Sequence, residues 1–347
     1  MQYDFVIVGA GIVGLLSARK LAKKGFSVAI LDKGRVGGES SWAGGGIIAP
    51  IYPWDFAFSD KAAIEFGQAY YPKLQESLLN ETGLDIEWNP CGLLVLDKFE
   101  PDNIESLIAN KVAHYSFFSQ LVLPSLFPAL SRQLNGGLFF PHIGNIRNPQ
   151  LIKVLHYWLM RQKTVDFFEY STVEKIQVKD NKIEAVFTKE KAFSAANYLF
   201  SAGAWTGELL KKIEVNLPIF PIQGQMLQIQ AKPDFLSCMV VSDGKYIIPR
   251  KDGKLLIGST VEDVGFKKKL TSSAYESLSH FAEKLLPDIK KYPVIAHWCG
   301  LRPAMSGGVY VGKIADYSNA VVASGHFRLG LTLAPFAANQ VAQIFVP

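Results

Sequence analysis

Residues 9–14 read Gly9-Ala10-Gly11-Ile12-Val13-Gly14, and what stands on either side of them constrains the fold more than anything else in the chain. Residues 4–9 form a short apolar run that reads as a buried strand. Residues 12–24 place Ile12, Val13, Leu15, Leu16, Ala18, Leu21 and Ala22 against a basic opposite side, which predicts a helix with one apolar face. Gly25 is placed to end it. Ser27 to Leu31 reads as a second strand, closing at Asp32, 18 residues after Gly14. Strand, helix and strand within about 30 residues make a βαβ unit, whose two strands must run parallel.

Each part of this fingerprint has a physical task. Gly9 permits a tight turn, Gly11 lets backbone approach a pyrophosphate, and Gly14 lets helix and strand pack closely. The helix N-terminus offers free N–H groups and partial positive charge to phosphates. Asp32 is placed to accept hydrogen bonds from ribose hydroxyls. The pattern occurs once and leaves open whether the dinucleotide is FAD or a nicotinamide.

The remaining numbers narrow the class. With 347 residues, 49% of them hydrophobic, the chain can bury a large core and more than one folding unit. A net charge of +5 is too mild to mark a nucleic-acid binder, and Lys267-Lys268-Lys269 reads as a solvated loop. Cys91, Cys238 and Cys299 are odd in number and widely spaced, which argues for a reducing compartment and against a disulfide framework or a zinc site; no metal site is expected. No apolar stretch approaches the roughly 20 residues of a membrane helix. The first residues are broken by Asp4 and three glycines, so they read as cytoplasmic structure, not a signal peptide.

Along the chain, residues 60–83 read as a helix. Asp85 to Trp88 and Gly92 to Leu96 read as antiparallel strands. A helix opens at Asn148-Pro149 and runs to about Gln162, with proline at its first position. A strand at 168–175, a hairpin around Asp180-Asn181 and a strand from Ala196 to Phe200 follow. Residues 222–262 alternate as strands do, a helix covers about 271–286, and a strand from Ala320 to Ala323 precedes a terminal helix. The fold class expected is α/β: a Rossmann-like dinucleotide domain in several sequence pieces, plus an α+β domain with a mainly antiparallel sheet. The pieces expected are 1–83, 145–215 and 300–347 for the first, and 84–144 and 216–299 for the second.

A second glycine cluster, Ser40-Ser41-Trp42-Ala43-Gly44-Gly45-Gly46-Ile47, lies one loop beyond Asp32. Three bare residues suit a place where something flat meets backbone, and the flanking Trp42, Ile47 and Ile48 are too apolar for a linker.

This cluster, with Tyr52-Pro53-Trp54, resembles the flavin-approach loop of the D-amino-acid oxidase superfamily of FAD-dependent oxidoreductases, most of all its glycine-oxidase members. Arg147-Asn148-Pro149, Ala202-Gly203-Ala204-Trp205, Pro221 to Met226, Tyr246 to Arg250, Gly258 to Phe266, Gly300-Leu301-Arg302-Pro303 and Gly325-His326-Phe327-Arg328 extend the resemblance over the whole chain. It implies oxidation of glycine or a small amino acid or amine by hydride transfer to flavin N5, with reoxidation by O2. It also implies supply of imine for thiamin thiazole synthesis, with thiazole synthase as a partner, and it admits a homo-oligomer. Arg302 would hold the substrate carboxylate, which suits the planar fork of a guanidinium. Tyr246 would donate to the same carboxylate and Arg328 would add charge.

The cofactor contacts implied are Gly9, Gly11, Ile12, Val13, Gly14, Asp32 and Lys33 in the fingerprint region. In the second cluster they are Ser40, Ser41, Ala43, Gly44, Gly45 and Gly46. Val173, Ala202, Gly203 and Trp205 follow, and Gly325, Phe327, Arg328, Leu329, Gly330 and Leu331 lie before and within the terminal helix. His326 reads as a packed loop histidine and not a base, because an uncharged amine needs none. Cys299 reads as inert, so the FAD is expected to be non-covalent. Met305 to Val309, and Leu329, depart from the family pattern near the presumed pocket and bear on substrate choice. Two other readings compete: a D-amino-acid dehydrogenase passing electrons to a quinone or another non-O2 acceptor, and a flavin domain acting on RNA or only binding flavin. An RNA-acting enzyme would show a basic face, and a pure binding module would not need Arg302 and Tyr246 together.

Overall fold

The computed structural model describes residues 2–54, 61–96, 105 and 114–346. Among the described residues, two eight-stranded sheets organise the fold. At the centre of the first lies β1 (Gln2–Val8), paired in parallel with β2 (Val28–Leu31) on one side and Ala192–Phe200 on the other. Its side chains alternate. Phe5 and Ile7 enter one apolar cluster with the helices Ile12–Lys23, Lys61–Thr82, Asn148–Met160 and Gly330–Phe345. Val6 and Val8 enter another, on the opposite face. Burial on both faces explains why the strand reads as an unbroken apolar run; each such side chain contributes roughly 1.5–3 kcal/mol.

Numbering the other strands in chain order, the first sheet runs β15 (Tyr310–Ile314), β16 (Tyr317–Ser324), β9 (Ala192–Phe200), β1, β2, β6 (Val165–Phe168). The hairpin β7 (Lys175–Lys179) and β8 (Lys182–Phe187) joins through β9. It turns on Asp180 and Asn181, both at positive φ, as the sequence predicts.

The second sheet runs β14 (Val294–Met305), β10 (Ile219–Gln230), β13 (Lys254–Gly258), β12 (Lys245–Pro249), β11 (Met239–Ser242), β3 (Leu93–Val95), β5 (Gly136–Phe140), β4 (Ser116–Ser119). All its pairings are antiparallel except β3 with β11. Leu227, Ile247, Leu255 and Ile257 pack under the helix Ser272–Leu285. Met226, Tyr246, Ile248 and Leu256 take the other face, the alternation of a strand.

Two strand expectations fail. Residues 169–174 form no strand: β6 ends at Phe168 and β7 begins at Lys175. Tyr170 has φ 53°, which breaks the ladder. The segment bonds instead to the loop after β2, with Tyr170 N donating to Gly34 O (3.1 Å) and Ser171 N to Asp32 O (2.7 Å). Residues 85–88 are likewise irregular. Glu87 has φ 57°, and its N–H is taken by the Asp85 side chain at 2.5 Å.

Candidate active site

The first βα turn shows what its glycines are for. Gly9 has φ 111°, and a Cβ there would lie 2.4 Å from Ser201 O on the next strand connection. A Cβ on Gly14 would meet Gly9 O at 2.1 Å, so this glycine serves helix-on-strand packing and does not line the cavity described below. Asp32 accepts from Ala10 N (2.8 Å) and Gly34 N (2.9 Å), which joins the turn to the end of β2. Burial raises its pKa, opposed by those two hydrogen bonds. The first N–H of the helix is taken by the Ser41 hydroxyl, Ile12 N to Oγ, at 3.0 Å.

From this turn a single long cavity of about 460 Å³ runs to the second sheet. At the fingerprint end it is lined by Gly9, Gly11, Ile12, Val13, Asp32 and Lys33, with Val173, Ala202, Gly203 and Trp205 opposite. Lys33 Nζ sits 3.0 Å from the centre of the Trp205 ring, a cation–π contact. The loop after β13 reaches across this end: Phe266 packs on Trp205 with ring centres 5.5 Å apart, and Lys268 pairs with Glu39 at 2.9 Å. In mid-cavity Ser40, Ser41, Ala43, Gly44, Gly45 and Gly46 form the wall. Phe327, Arg328, Gly330 and Leu331 close it beside the N-terminus of the helix Gly330–Phe345, which carries partial positive charge.

The triple glycine is required by close packing. Side chains there would collide with neighbouring protein atoms. A Cβ on Gly45 would meet Ile248 at 2.6 Å and Tyr246 at 2.9 Å, and one on Gly46 would meet Ile146 O at 2.0 Å. The glycines let the loop settle onto the second sheet, and bare backbone is then left facing the cavity.

At the far end stand Tyr246, Arg302 and Arg328. Arg302 comes from β14, a strand that straddles residue 300 and pairs along its length with β10. Its guanidinium donates to Ser259 Oγ (2.6 Å), Thr260 O (3.2 Å) and Gln223 O (3.3 Å). Arg328 donates to Gly244 O at 3.4 Å, and Gly244 N donates to the Tyr52 hydroxyl at 2.9 Å. Among the described residues no carboxylate forms an ion pair with either arginine. Burial pulls both guanidinium pKa values down, partly offset by the Tyr246 ring beside them. A guanidinium stays charged at neutral pH, so two cations face one cavity with no carboxylate in ion-pair contact among the described residues, an arrangement that suits an anionic ligand. Tyr246, buried, donates its hydroxyl to Met226 Sδ at 3.2 Å.

A family model described as FAD dependent oxidoreductase matches residues 4–344. The chain belongs to that family. A glycine oxidase of Pseudomonas putida is 37% identical over 336 residues, covering 96% of this chain and 92% of the relative. A protein of Trichormus variabilis described as bifunctional ThiO/ThiG is 29% identical, over 100% of this chain and 53% of its own length. The crystal structure of glycine oxidase from Geobacillus kaustophilus superposes with a TM-score of 0.91 at 27% identity, covering 99% of this chain and 94% of that one.

This FAD-dependent oxidoreductase has a cavity that fits its cofactor. A dinucleotide fingerprint lies at one end, bare backbone in the middle, and a helix N-terminus with two arginines at the other. Gly325 and Leu329 stand apart from it. Gly325 packs on Met305 and Gly308, and Leu329 is buried against Ala63, Ile64 and Leu333. Neither Leu329 nor Met305 to Val309 lines the cavity, so both departures from the family pattern lie behind its wall. Cys299 does not line it either.

The site also uses residues outside the sequence-based set. Met226, Ser259, Asn148 and Gly224 line the cavity. Alternation along β10 places Met226 on the side of Tyr246, a signal available once the strands are paired. His326 lines it too, buried, with its Nε2 unpartnered among the described residues, and burial depresses its pKa to about 4. It is therefore neutral at working pH. Among the described residues, no group of three or more His, Cys, Asp or Glu could hold a metal ion, and no helix is long and apolar enough to cross a membrane.

Proposed function

We propose that the chain oxidises glycine, or a small N-substituted glycine or amino acid, with O2 as acceptor: glycine, O2 and water give glyoxylate, ammonia and hydrogen peroxide. The observation that carries this reading is Arg302, a cation at the end of the FAD cavity with no carboxylate partner of its own among the described residues. FAD, when bound, supplies the two-electron acceptor. The protein supplies orientation and charge. Ser259, Thr260 and Gln223 lock the Arg302 fork, so it can hold the substrate carboxylate through two charge-assisted hydrogen bonds at little entropic cost. Tyr246 turns its hydroxyl from Met226 to the same carboxylate. With the amine uncharged, the α-carbon loses hydride and water hydrolyses the imine; no side chain acts as nucleophile or base. Arg328 and the N-terminus of the terminal helix oppose the negative charge that develops on the acceptor.

The same reading divides the chain into an FAD-binding part, 1–83, 145–215 and 300–347, and a substrate-binding part, 84–144 and 216–299. It places the reaction in the cytoplasm, with the imine passed to thiazole synthase for thiamin synthesis. The relative described as ThiO/ThiG supports this, since that protein carries both names in one chain. The FAD is held without a covalent bond.

Anaerobic mixing of the yellow protein with glycine, sarcosine or D-alanine tests the proposal. Bleaching of the flavin band by at least one of them, and peroxide on admission of air, are expected. Bleaching without peroxide, restored by a quinone, would favour the dehydrogenase reading, and no bleaching by any of the three would remove the amino-acid reading altogether.

A further inference from the structure

Arg250, at the end of β12, is a buried cation that the chemistry above does not use. Its guanidinium donates to Gly45 O at 2.8 Å and Ile146 O at 3.1 Å, and also to Asn145 Oδ1. All three acceptors are neutral, and no carboxylate among the described residues forms an ion pair with it. Asn145 is itself fully buried and held by donation to Cys91 Sγ at 3.3 Å. A buried guanidinium without a counter-ion is costly, and it is spent here on the carbonyl of the middle glycine in the cavity wall. The Gly45–Gly46 peptide is not among the cis bonds, so its N–H points opposite to its C=O. With Gly45 O drawn toward Arg250, the Gly46 N–H is turned the other way, and it has no acceptor among the described residues. Gly46 lines the cavity. A cation on the carbonyl end of a peptide also polarises its N–H into a stronger donor.

We propose that Arg250 is a positioning residue that acts through the Gly45–Gly46 peptide, aiming and polarising the Gly46 N–H as a hydrogen-bond donor that favours the electron-rich, reduced state of the bound flavin. Its role is therefore to set the redox potential and not merely to hold the loop. The inference rests on FAD occupying this cavity.

The test is the two-electron midpoint potential of holoenzyme, measured against a reference dye, for wild type, Arg250→Met and Arg250→Lys at equal flavin loading. Arg250→Met should lower the preference for reduced over oxidised FAD about tenfold, which is a potential about 30 mV more negative. Arg250→Lys, which keeps the charge but lacks a fork that spans Gly45 O and Ile146 O, should fall between. A preference for reduced FAD within twofold of wild type in Arg250→Met, a potential shift of less than about 10 mV, even with weaker FAD binding overall, would reduce Arg250 to a structural strut and overturn the inference. Should the Met variant purify without flavin, Arg250→Lys carries the test alone: a shift in the stated direction supports the inference and an unchanged potential overturns it. A wild-type protein that binds no FAD would remove the flavin reading itself, an outcome distinct from a yellow protein with an unmoved potential.

Discussion

A Cβ placed on Gly224 would lie 2.1 Å from Arg302 Nη2 and 2.4 Å from Cζ. The two residues sit on the paired strands β10 and β14, and the guanidinium rests on the bare backbone of the glycine. Gly224→Ala should therefore displace Arg302 while leaving the fingerprint turn intact. We expect an unchanged FAD content and a rise in substrate KM of roughly 10- to 100-fold, since a shift near 1 Å in a positioning group costs about that much. Steady-state kinetics beside a flavin absorbance ratio checks this; loss of flavin together with activity would show that Gly224 supports the fold instead.

Removing the fork has a larger effect. Arg302→Ala takes away the charge partner of the substrate carboxylate and leaves Ser259 Oγ and two carbonyls without their donor. A loss of roughly 2–5 kcal/mol in binding is expected, seen as weaker anaerobic bleaching by glycine. Arg302→Lys should recover only part of it, because an ammonium lacks the bidentate fork.

His326 provides a pH signature. Its folded pKa is about 4, against 6.5 for the free side chain, because burial opposes the charged form. As pH falls below 6.5 the unfolded chain takes up a proton that the folded chain refuses until about pH 4. The stability due to neutral His326 is therefore complete above pH 6.5 and is lost between 6.5 and 4. Between pH 7 and 4.5, His326→Leu should lose roughly 2–3 kcal/mol less than wild type in urea unfolding at saturating FAD. Parallel losses in the two proteins would place a charged imidazole in the folded state.

Gly46→Ala tests the wall of the cavity. Gly46 has φ 84°, and its Cβ would meet Ile146 O at 2.0 Å and Asn148 Oδ1 at 2.5 Å. Backbone cannot yield as a side-chain end can, so the loop must lift. FAD affinity should fall at least tenfold, by fluorescence titration of apoprotein, at an energetic cost of a few kcal/mol.

Cys299 should carry no flavin. Acid precipitation of the yellow protein is expected to leave all colour in the supernatant, and colour in the pellet would locate a tether that the geometry of the cavity does not suggest.

Local order made much of this molecule legible in one dimension. The strand, glycine turn, helix and second strand of residues 2–31 are close in sequence, and each part reads from its own neighbours: apolar runs, a 3.6-residue period, Gly25 at the helix end. Asp180-Asn181 announces its hairpin by residue type. Arg302 and Tyr246 are legible only through motif resemblance, and the resemblance around Gly325 to Arg328 also puts Leu329 and Gly325 in the cofactor set, although neither lines the cavity. Sequence spacing alone does not say which side of a one-turn 3-10 helix, Phe327–Leu329, points inward. Residues 169–174 read as a strand in sequence but form none, because their bonds go to Asp32 and Gly34, more than 130 positions earlier.

The sequence by itself determined the dinucleotide-binding unit, because that rests on contacts within about 30 residues, and it pointed to the class of chemistry only through motifs spread from Ser40 to Arg328. Only the tertiary structure decided why the glycines at 44–46 are needed, what holds Arg302 and where Arg250 donates, because each depends on strands far apart in the chain meeting in one register.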